Sequence, residues 1–112
     1  MTRDVYRIDE ERERGARAGK LYAEFLRVPS MSAGVYALKA GATDGQSPHN
    51  EDEIYYVVRG WARFRITDAA GTREHSVGPG DLLFVAARVE HRFFEITEDI
   101  ELLVFFAPAE TE

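Results

Sequence analysis

The chain has 112 residues, of which 45% are hydrophobic and 30% charged, and none is cysteine. That length supports one domain with a core of its own. The missing thiols exclude a disulfide scaffold, a zinc-thiolate site, an iron–sulfur cluster and a cysteine nucleophile. Fourteen Lys and Arg against twenty Asp and Glu leave a net charge of −6. This balance opposes phosphate backbones and anionic membrane surfaces, so neither nucleic acid nor a membrane is an expected partner. Cations and small organic molecules are.

No apolar run approaches the roughly 18 residues of a membrane helix. The longest, Leu102 to Ala109, reads as a buried strand. The first residues are charged rather than apolar and show no secretory signal, so a soluble cytoplasmic protein is expected. Residues 1–20 form a separate charged arm. Asp9 to Arg14 is a charge run, followed by Gly15 and Gly19. Glu10/Arg14 and Glu13/Arg17 have the spacing that supports a helix turn. The two glycines and the lack of an apolar face weaken that helix, and the segment reads as a solvated, partly ordered arm.

From Leu21 onward, short β-type runs alternate with turn signals. Leu21–Val28 stops at Pro29-Ser30, Met31–Lys39 at Ala40-Gly41, and Ile54–Val58 at Gly60. Trp61–Thr67 and Thr72–Val77 flank Asp68-Ala69-Ala70-Gly71, and Gly78-Pro79-Gly80-Asp81 is a tight turn. Leu82–Val85, His91–Thr97 and Ile100–Ala107 follow. The runs are rich in Val, Ile, Tyr and Phe, with no competing helical period. The fold class is all-β: a single-domain antiparallel β-barrel or rolled double-stranded sandwich over residues 21–109, with residues 110–112 as a tail. In Trp61–Thr67, Ala62, Phe64 and Ile66 face inward and Arg63 and Arg65 outward.

Two of the three histidines join a carboxylate in a suggestive pattern. His49 and Glu53 are separated by three residues, and His91 lies on a later strand. Two imidazoles and one carboxylate suit a divalent first-row metal, here Fe, Mn, Ni or Zn. His75, beside Glu74 and without a partner motif, reads as a satisfied or exposed histidine. Glu51-Asp52-Glu53 also fits a solvated acidic loop.

The segment runs Gly41, five residues, Ser47, one residue, His49, three residues, Glu53, six residues, Gly60. This resembles the first motif of the cupin family, G-x5-H-x-H-x3-4-E-x6-G, with Ser47 at the first histidine. The second motif, G-x5-P-x-G-x2-H-x3-N, is matched by Gly80 and His91, whereas Ala86, Arg88 and Glu95 depart from it. The Gly-Pro-Gly-Asp turn and the Leu-Leu-Val-Phe-Phe-Ala-Pro ending are also similar to small single-domain cupins.

The resemblance implies a jelly-roll-like barrel with a metal held by His49, Glu53 and His91. At Ser47 four outcomes are open: water takes the place, Gln46 or Glu51 brings an oxygen, the site is a three-ligand triad, or no metal binds. Strand parity turns Tyr55 inward with Glu53, and Phe93 inward with His91. Tyr36, Gln46, Ser47, Arg88 and Phe93 are the candidate substrate-pocket residues, Arg88 as a partner for an anionic group. Tyr55 and Glu51 are the candidate acid–base groups. The expected function is an enzyme of oxygenase type, such as a dioxygenase, acting on a small organic molecule. The alternatives are a metal-dependent isomerase or lyase acting on a carbonyl or sugar-like substrate, and a non-catalytic ligand-binding sensor. A homodimer is expected, because outward Trp61, Ile54 and Tyr56 need cover.

Overall fold

The computed structural model describes residues 2–111. One helix, α1 (Ile8–Arg17), precedes eight strands: β1 (Tyr22–Val28), β2 (Met31–Leu38), β3 (Asp52–Arg59), β4 (Ala62–Asp68), β5 (Gly71–Val77), β6 (Leu82–Val85), β7 (Glu90–Phe94) and β8 (Ile100–Ala107). Each expected run is a strand. Two sheets form, a larger one ordered β1-β2-β8-β3-β6 and a smaller one ordered β5-β4-β7. All pairings are antiparallel. Among the described residues no hydrogen-bonded ladder joins the two sheets, so the architecture is the rolled sandwich rather than a closed barrel.

Turn chemistry fixes the register. Val28 pairs with Met31 around Pro29-Ser30, where the proline ring presets φ. Asp68 pairs with Gly71 around Ala69-Ala70. The Asp68 carboxylate accepts from Ala70 N at 2.9 Å and from the Arg73 guanidinium at 2.8 Å.

The alternation on β3 buries Glu53, Tyr55 and Val57 and leaves Tyr56 exposed. Together with Tyr36, Phe64, Phe93, Leu102, Val104 and Phe106, Tyr55 and Val57 fill the space between the sheets. Arg63 and Arg65 lie on the outer face, paired with Glu74, as the alternation predicts.

The N-terminal segment differs from the expected solvated arm. Residues 8–17 are helical and pack on β1 and β2. The contact is made by small residues, since a Cβ at Gly15 would stand 2.7 Å from Ala23 Cβ. Charge pairs supply the rest. Arg12 reaches Glu101 on β8 at 3.2 Å, and the buried Glu11 is held by Arg3 at 2.7 Å and Arg14 at 3.1 Å. Ala33 and Val35, on the outer face of β2, are therefore buried like the inward residues of that strand. Among the described residues no helix is long and apolar enough to cross a membrane.

Candidate metal centre

The connection between β2 and β3 carries the first half of the site. Gly41, at φ 78°, turns the chain after β2, and its N–H donates to Ile96 O at 2.9 Å. Asp44, 1% exposed, then acts as the hub of the loop. Its carboxylate accepts from Tyr36 OH at 2.7 Å, Phe93 N at 2.9 Å, Gln46 Nε2 at 3.1 Å and Gln46 N at 3.3 Å. A buried carboxylate so fully hydrogen-bonded ties the loop to both sheets. Further along, the backbone N–H of Arg88 donates to His49 O, which fixes the histidine's backbone.

Strand pairing brings the other two groups to the same place. Glu53 is on β3, opposite Phe106 of β8 and Val85 of β6 in the larger sheet. His91 is on β7, opposite Ile66 of β4 in the smaller sheet. His49, Glu53 and His91 offer ligand atoms that all lie within 4.8 Å of one another. Glu53 Oε1 is 3.2 Å from His91 Nε2 and 3.9 Å from His49 Nε2. Donors bound at about 2.1 Å to one ion stand roughly 3.0–3.5 Å apart when their bond angles are 90–110°, so the Glu53–His91 separation is what one ion requires and the Glu53–His49 separation is somewhat longer.

The hydrogen-bonding shell favours that use. His91 Nδ1 is 2.9 Å from Val89 O, and His49 Nδ1 is 3.1 Å from Glu110 Oε2. The Val89 carbonyl beside His91 Nδ1 places the proton there and leaves the His91 Nε2 lone pair facing Glu53, whereas the aligned partner of the His49 ring is Gln46 Oε1, 3.3 Å from Nε2. Glu53 itself is 1% exposed, and neither carboxylate oxygen has an aligned hydrogen-bond partner among the described residues. A buried carboxylate left unpartnered is costly unless something positive meets it. A divalent ion held by His49, Glu53 and His91 fits that need.

Tyr55 stands within this group. Its hydroxyl donates to Gln46 Oε1 at 2.9 Å and lies 3.0 Å from His91 Nε2. Burial, then the Glu53 charge, pushes its phenol well above the ordinary range, so Tyr55 remains a neutral proton donor. Burial pulls the His91 imidazole down, yet the Glu53 carboxylate and the Val89 carbonyl outweigh it, and the net shift is upward. Glu110 is also raised, chiefly by burial.

A cavity of about 180 Å³ opens beside the trio, lined by Tyr22, Tyr36, Gln46, His49, Glu53, Val104, Phe106 and Glu110. A second, of about 250 Å³, touches Gln46, Ser47 and His91 from the other side. Tyr36 and Gln46 therefore stand where a pocket residue should, and Ser47 is exposed on the far side. Phe93 is fully buried and packs edge-on against Tyr55 with centroids 5.1 Å apart, which makes it core support. Arg88 is exposed at φ 66°, and its side chain has no carboxylate partner among the described residues.

Glu51, expected as an acid–base group or a source of a ligand oxygen, is 3% exposed, and its Oε1 is buried without a hydrogen-bond partner among the described residues. Its Oε2 accepts from Thr111 Oγ1 at 2.7 Å and from Thr111 N at 3.2 Å, and it is outside the trio. His75 is exposed on β5. Residues that sequence reasoning missed are Asp44, Tyr22 and Glu110. The last arrives because the tail folds back, with Glu110 N donating to Ser32 Oγ at 2.9 Å and Arg27 donating to Glu110 O at 2.9 Å. An acidic residue next to a turn, as in Thr43-Asp44-Gly45, was the one available signal for Asp44.

Comparison with known proteins agrees with this architecture. The sequence model of the cupin domain matches residues 34–106. An uncharacterised protein of Streptomyces coelicolor is 45% identical over 108 residues, covering 96% of this chain and 98% of its own. Among solved structures, an oxalate decarboxylase superposes with a TM-score of 0.71 at 28% identity over 78% of this chain, which spans 25% of the decarboxylase chain. KdgF from a Halomonas species gives a TM-score of 0.67 at 20% identity, covering 78% of this chain and 76% of its own. HppE in its Fe(II) form, with an alternative substrate bound, gives 0.64 at 20% identity over 76% of this chain and 48% of its own. With the family's sequence model spanning β2 to β8 and a relative matched along almost its whole length, the chain belongs to the cupin family.

Proposed function

We propose that this cupin is a metal-dependent enzyme of oxygenase type acting on a small organic molecule. The observation that carries the reading is Glu53. It is a buried carboxylate with both oxygens unpartnered, facing the Nε2 atoms of His49 and His91. Two histidines and one carboxylate with positions left open are the donor set of non-haem iron oxygenases. A bound divalent ion would supply Lewis acidity and, as iron, redox capacity toward dioxygen. That HppE has been solved in an Fe(II) form supports this choice of metal at the level of fold.

The chain's own residues supply the rest. Tyr55, kept neutral by burial, holds its hydroxyl between Gln46 Oε1 and His91 Nε2, where it is the acid for a group bound at the trio. Tyr36, Val104 and Phe106 form the wall of the cavity and exclude water. At about 180 Å³ the cavity is smaller than the roughly 300 Å³ at which drug-sized sites begin, so the substrate is a compact molecule. Glu110 orients His49 through Nδ1.

One observation favours a second reading, a Lewis-acid isomerase or lyase. A neutral tyrosine 3.0 Å from His91 Nε2 is a natural acid for a carbonyl or sugar-like substrate. Dioxygen uptake separates the two. The protein reconstituted with Fe(II) is screened against small hydroxy and oxo acids, following oxygen consumption. The oxygenase reading expects consumption with Fe(II) and none with Zn(II). Turnover without oxygen uptake, equal with Zn(II) and Mn(II), overturns it in favour of Lewis-acid chemistry.

We also propose that the molecule is a homodimer. On the outer face of the larger sheet, Ile54 pairs with Phe84 and Phe105, and Tyr56 with Leu82 and Leu103. Leu82 is 62% and Phe84 58% exposed, a contiguous apolar surface that a second copy would cover.

A further inference from the structure

Ser47 stands where the family motif has a histidine, and its side chain is exposed. The residue before it is placed differently. We propose that Gln46 supplies the fourth protein donor of the metal centre through its amide oxygen, and that Asp44 locks the amide in that orientation. The inference rests on the metal-binding reading above.

An amide side chain has two ends, and hydrogen bonding decides which faces where. Gln46 Nε2 donates to Asp44 Oδ2 at 3.1 Å. That carboxylate already accepts from Tyr36 OH and Phe93 N, so it takes only a donor and the NH2 end must face it. The opposite end, Oε1, is thereby aimed at the site. It accepts from Tyr55 OH at 2.9 Å and faces His49 Nε2 at 3.3 Å.

Lone-pair accounting then points to a cation. Gln46 Oε1 faces His49 Nε2, Glu53 Oε1 faces His91 Nε2, and Tyr55 has one hydroxyl proton to share between Gln46 Oε1 and His91 Nε2. The 3.3 Å between Oε1 and His49 Nε2 matches the 3.2 Å between His91 Nε2 and Glu53 Oε1, which is the spacing of donors around one ion. An amide oxygen is a hard, neutral donor suited to a first-row divalent ion. It adds no charge and is a weaker donor than imidazole or carboxylate, so it is the easiest of the four to displace, and a six-coordinate ion would keep two positions open beside it. Gln46 also touches both cavities, beside His91 in one and beside His49 and Glu53 in the other, so this donor is reached from either side.

Co(II) binding tests the assignment without any need for activity, because its visible spectrum responds to coordination number and donor type. Wild type, Gln46→Ala, Gln46→Glu, Asp44→Asn, Ser47→Ala and His91→Ala are titrated with Co(II), with folding checked by circular dichroism. Gln46→Ala is expected to bind roughly 10–100-fold more weakly, with an altered spectrum. Asp44→Asn should shift the same way, since an amide at position 44 no longer dictates the flip. Gln46→Glu, which places a charged oxygen at the same point, should bind at least as tightly as wild type. Ser47→Ala should match wild type. Wild-type affinity and spectrum in both Gln46 variants would overturn the proposal while leaving the metal centre standing, as would a loss in Ser47→Ala with none in Gln46→Ala. A wild type that takes up no Co(II), or a His91→Ala variant that binds as wild type does, would overturn the metal reading and this proposal with it.

Discussion

Gly60 ends the first cupin motif, and the structure gives that glycine a physical duty that can be measured. Its φ is 90°, in the left-handed region that an L side chain occupies at a penalty of about 1–2 kcal/mol. It is also crowded. A Cβ there would stand 2.2 Å from Asp99 O, 2.6 Å from Ile100 Cα and 2.9 Å from Asp99 C. These are backbone atoms where the chain enters β8, and Asp99 is itself tied down by Ala40 N donating to its carboxylate at 2.8 Å. Relief therefore requires moving main chain, and overpacking of that kind costs about 1–3 kcal/mol more. Gly60→Ala should destabilise the fold by roughly 2–5 kcal/mol in total, which for a domain of this length lowers Tm by about 8–20 °C. Gly71 provides the control. Its φ is 106°, but no atom lies within 4 Å of where its Cβ would be. Gly71→Ala should lose only the conformational part, about 1–2 kcal/mol and 4–8 °C. Urea and thermal melts followed by circular dichroism, both variants in the same metal-free buffer, measure the difference. Equal melting of the two variants, or Gly60→Ala within about 0.5 kcal/mol of wild type, would refute the reasoning.

Two further outcomes are expected. In the metal-free protein the His91 imidazole should titrate above its ordinary value of 6.5, because the Glu53 carboxylate and Val89 carbonyl outweigh burial. The pair's contribution to stability is then full below 6.5 and fades as pH rises through the raised value. A metal ion must displace that proton, so affinity should fall steeply as pH drops below it. NMR titration of His91 with calorimetric metal binding at several pH values checks this, and a midpoint below 6.5 or a pH-independent affinity would contradict it. The apolar face is tested by Phe84→Glu, which puts a charge on the edge strand of the surface formed with Ile54, Leu82 and Phe105. Wild type should sediment as a dimer and the variant near the monomer mass of 12.7 kDa, whereas a monomeric wild type at micromolar concentration would rule the dimer out.

What the sequence made legible follows from period and parity. Alternation on β3 put Glu53, Tyr55 and Val57 on one side of the strand, and all three are buried. The same parity paired His91 with Phe93. What stayed hidden depends on contacts between distant segments. Helix α1 has no apolar stripe, because it docks through the close approach of Gly15 to Ala23 and the reach of Arg12 to Glu101, so hydrophobic periodicity could not find it. Glu110 comes to His49 because Ser32, Arg27 and Glu51 capture the tail. Glu51 sits two residues before Glu53 on the same side, yet Thr111 holds one of its carboxylate oxygens. Phe93 faces inward as expected but lies beneath Tyr55 rather than beside the cavity. Inward parity alone does not separate a core residue from a pocket residue.

The central claim is that His49, Glu53 and His91 jointly hold one divalent first-row metal. Elemental analysis of protein purified without chelator, combined with anomalous scattering from its crystals across the iron, manganese, nickel and zinc edges, tests it most directly. The account predicts one metal per chain, bonded at about 2.0–2.3 Å to His49 Nε2, His91 Nε2 and a Glu53 oxygen, and lost in a folded His91→Ala variant. Metal-free protein that takes up no ion on reconstitution, or an ion bound elsewhere while these three side chains stay apart, would contradict it.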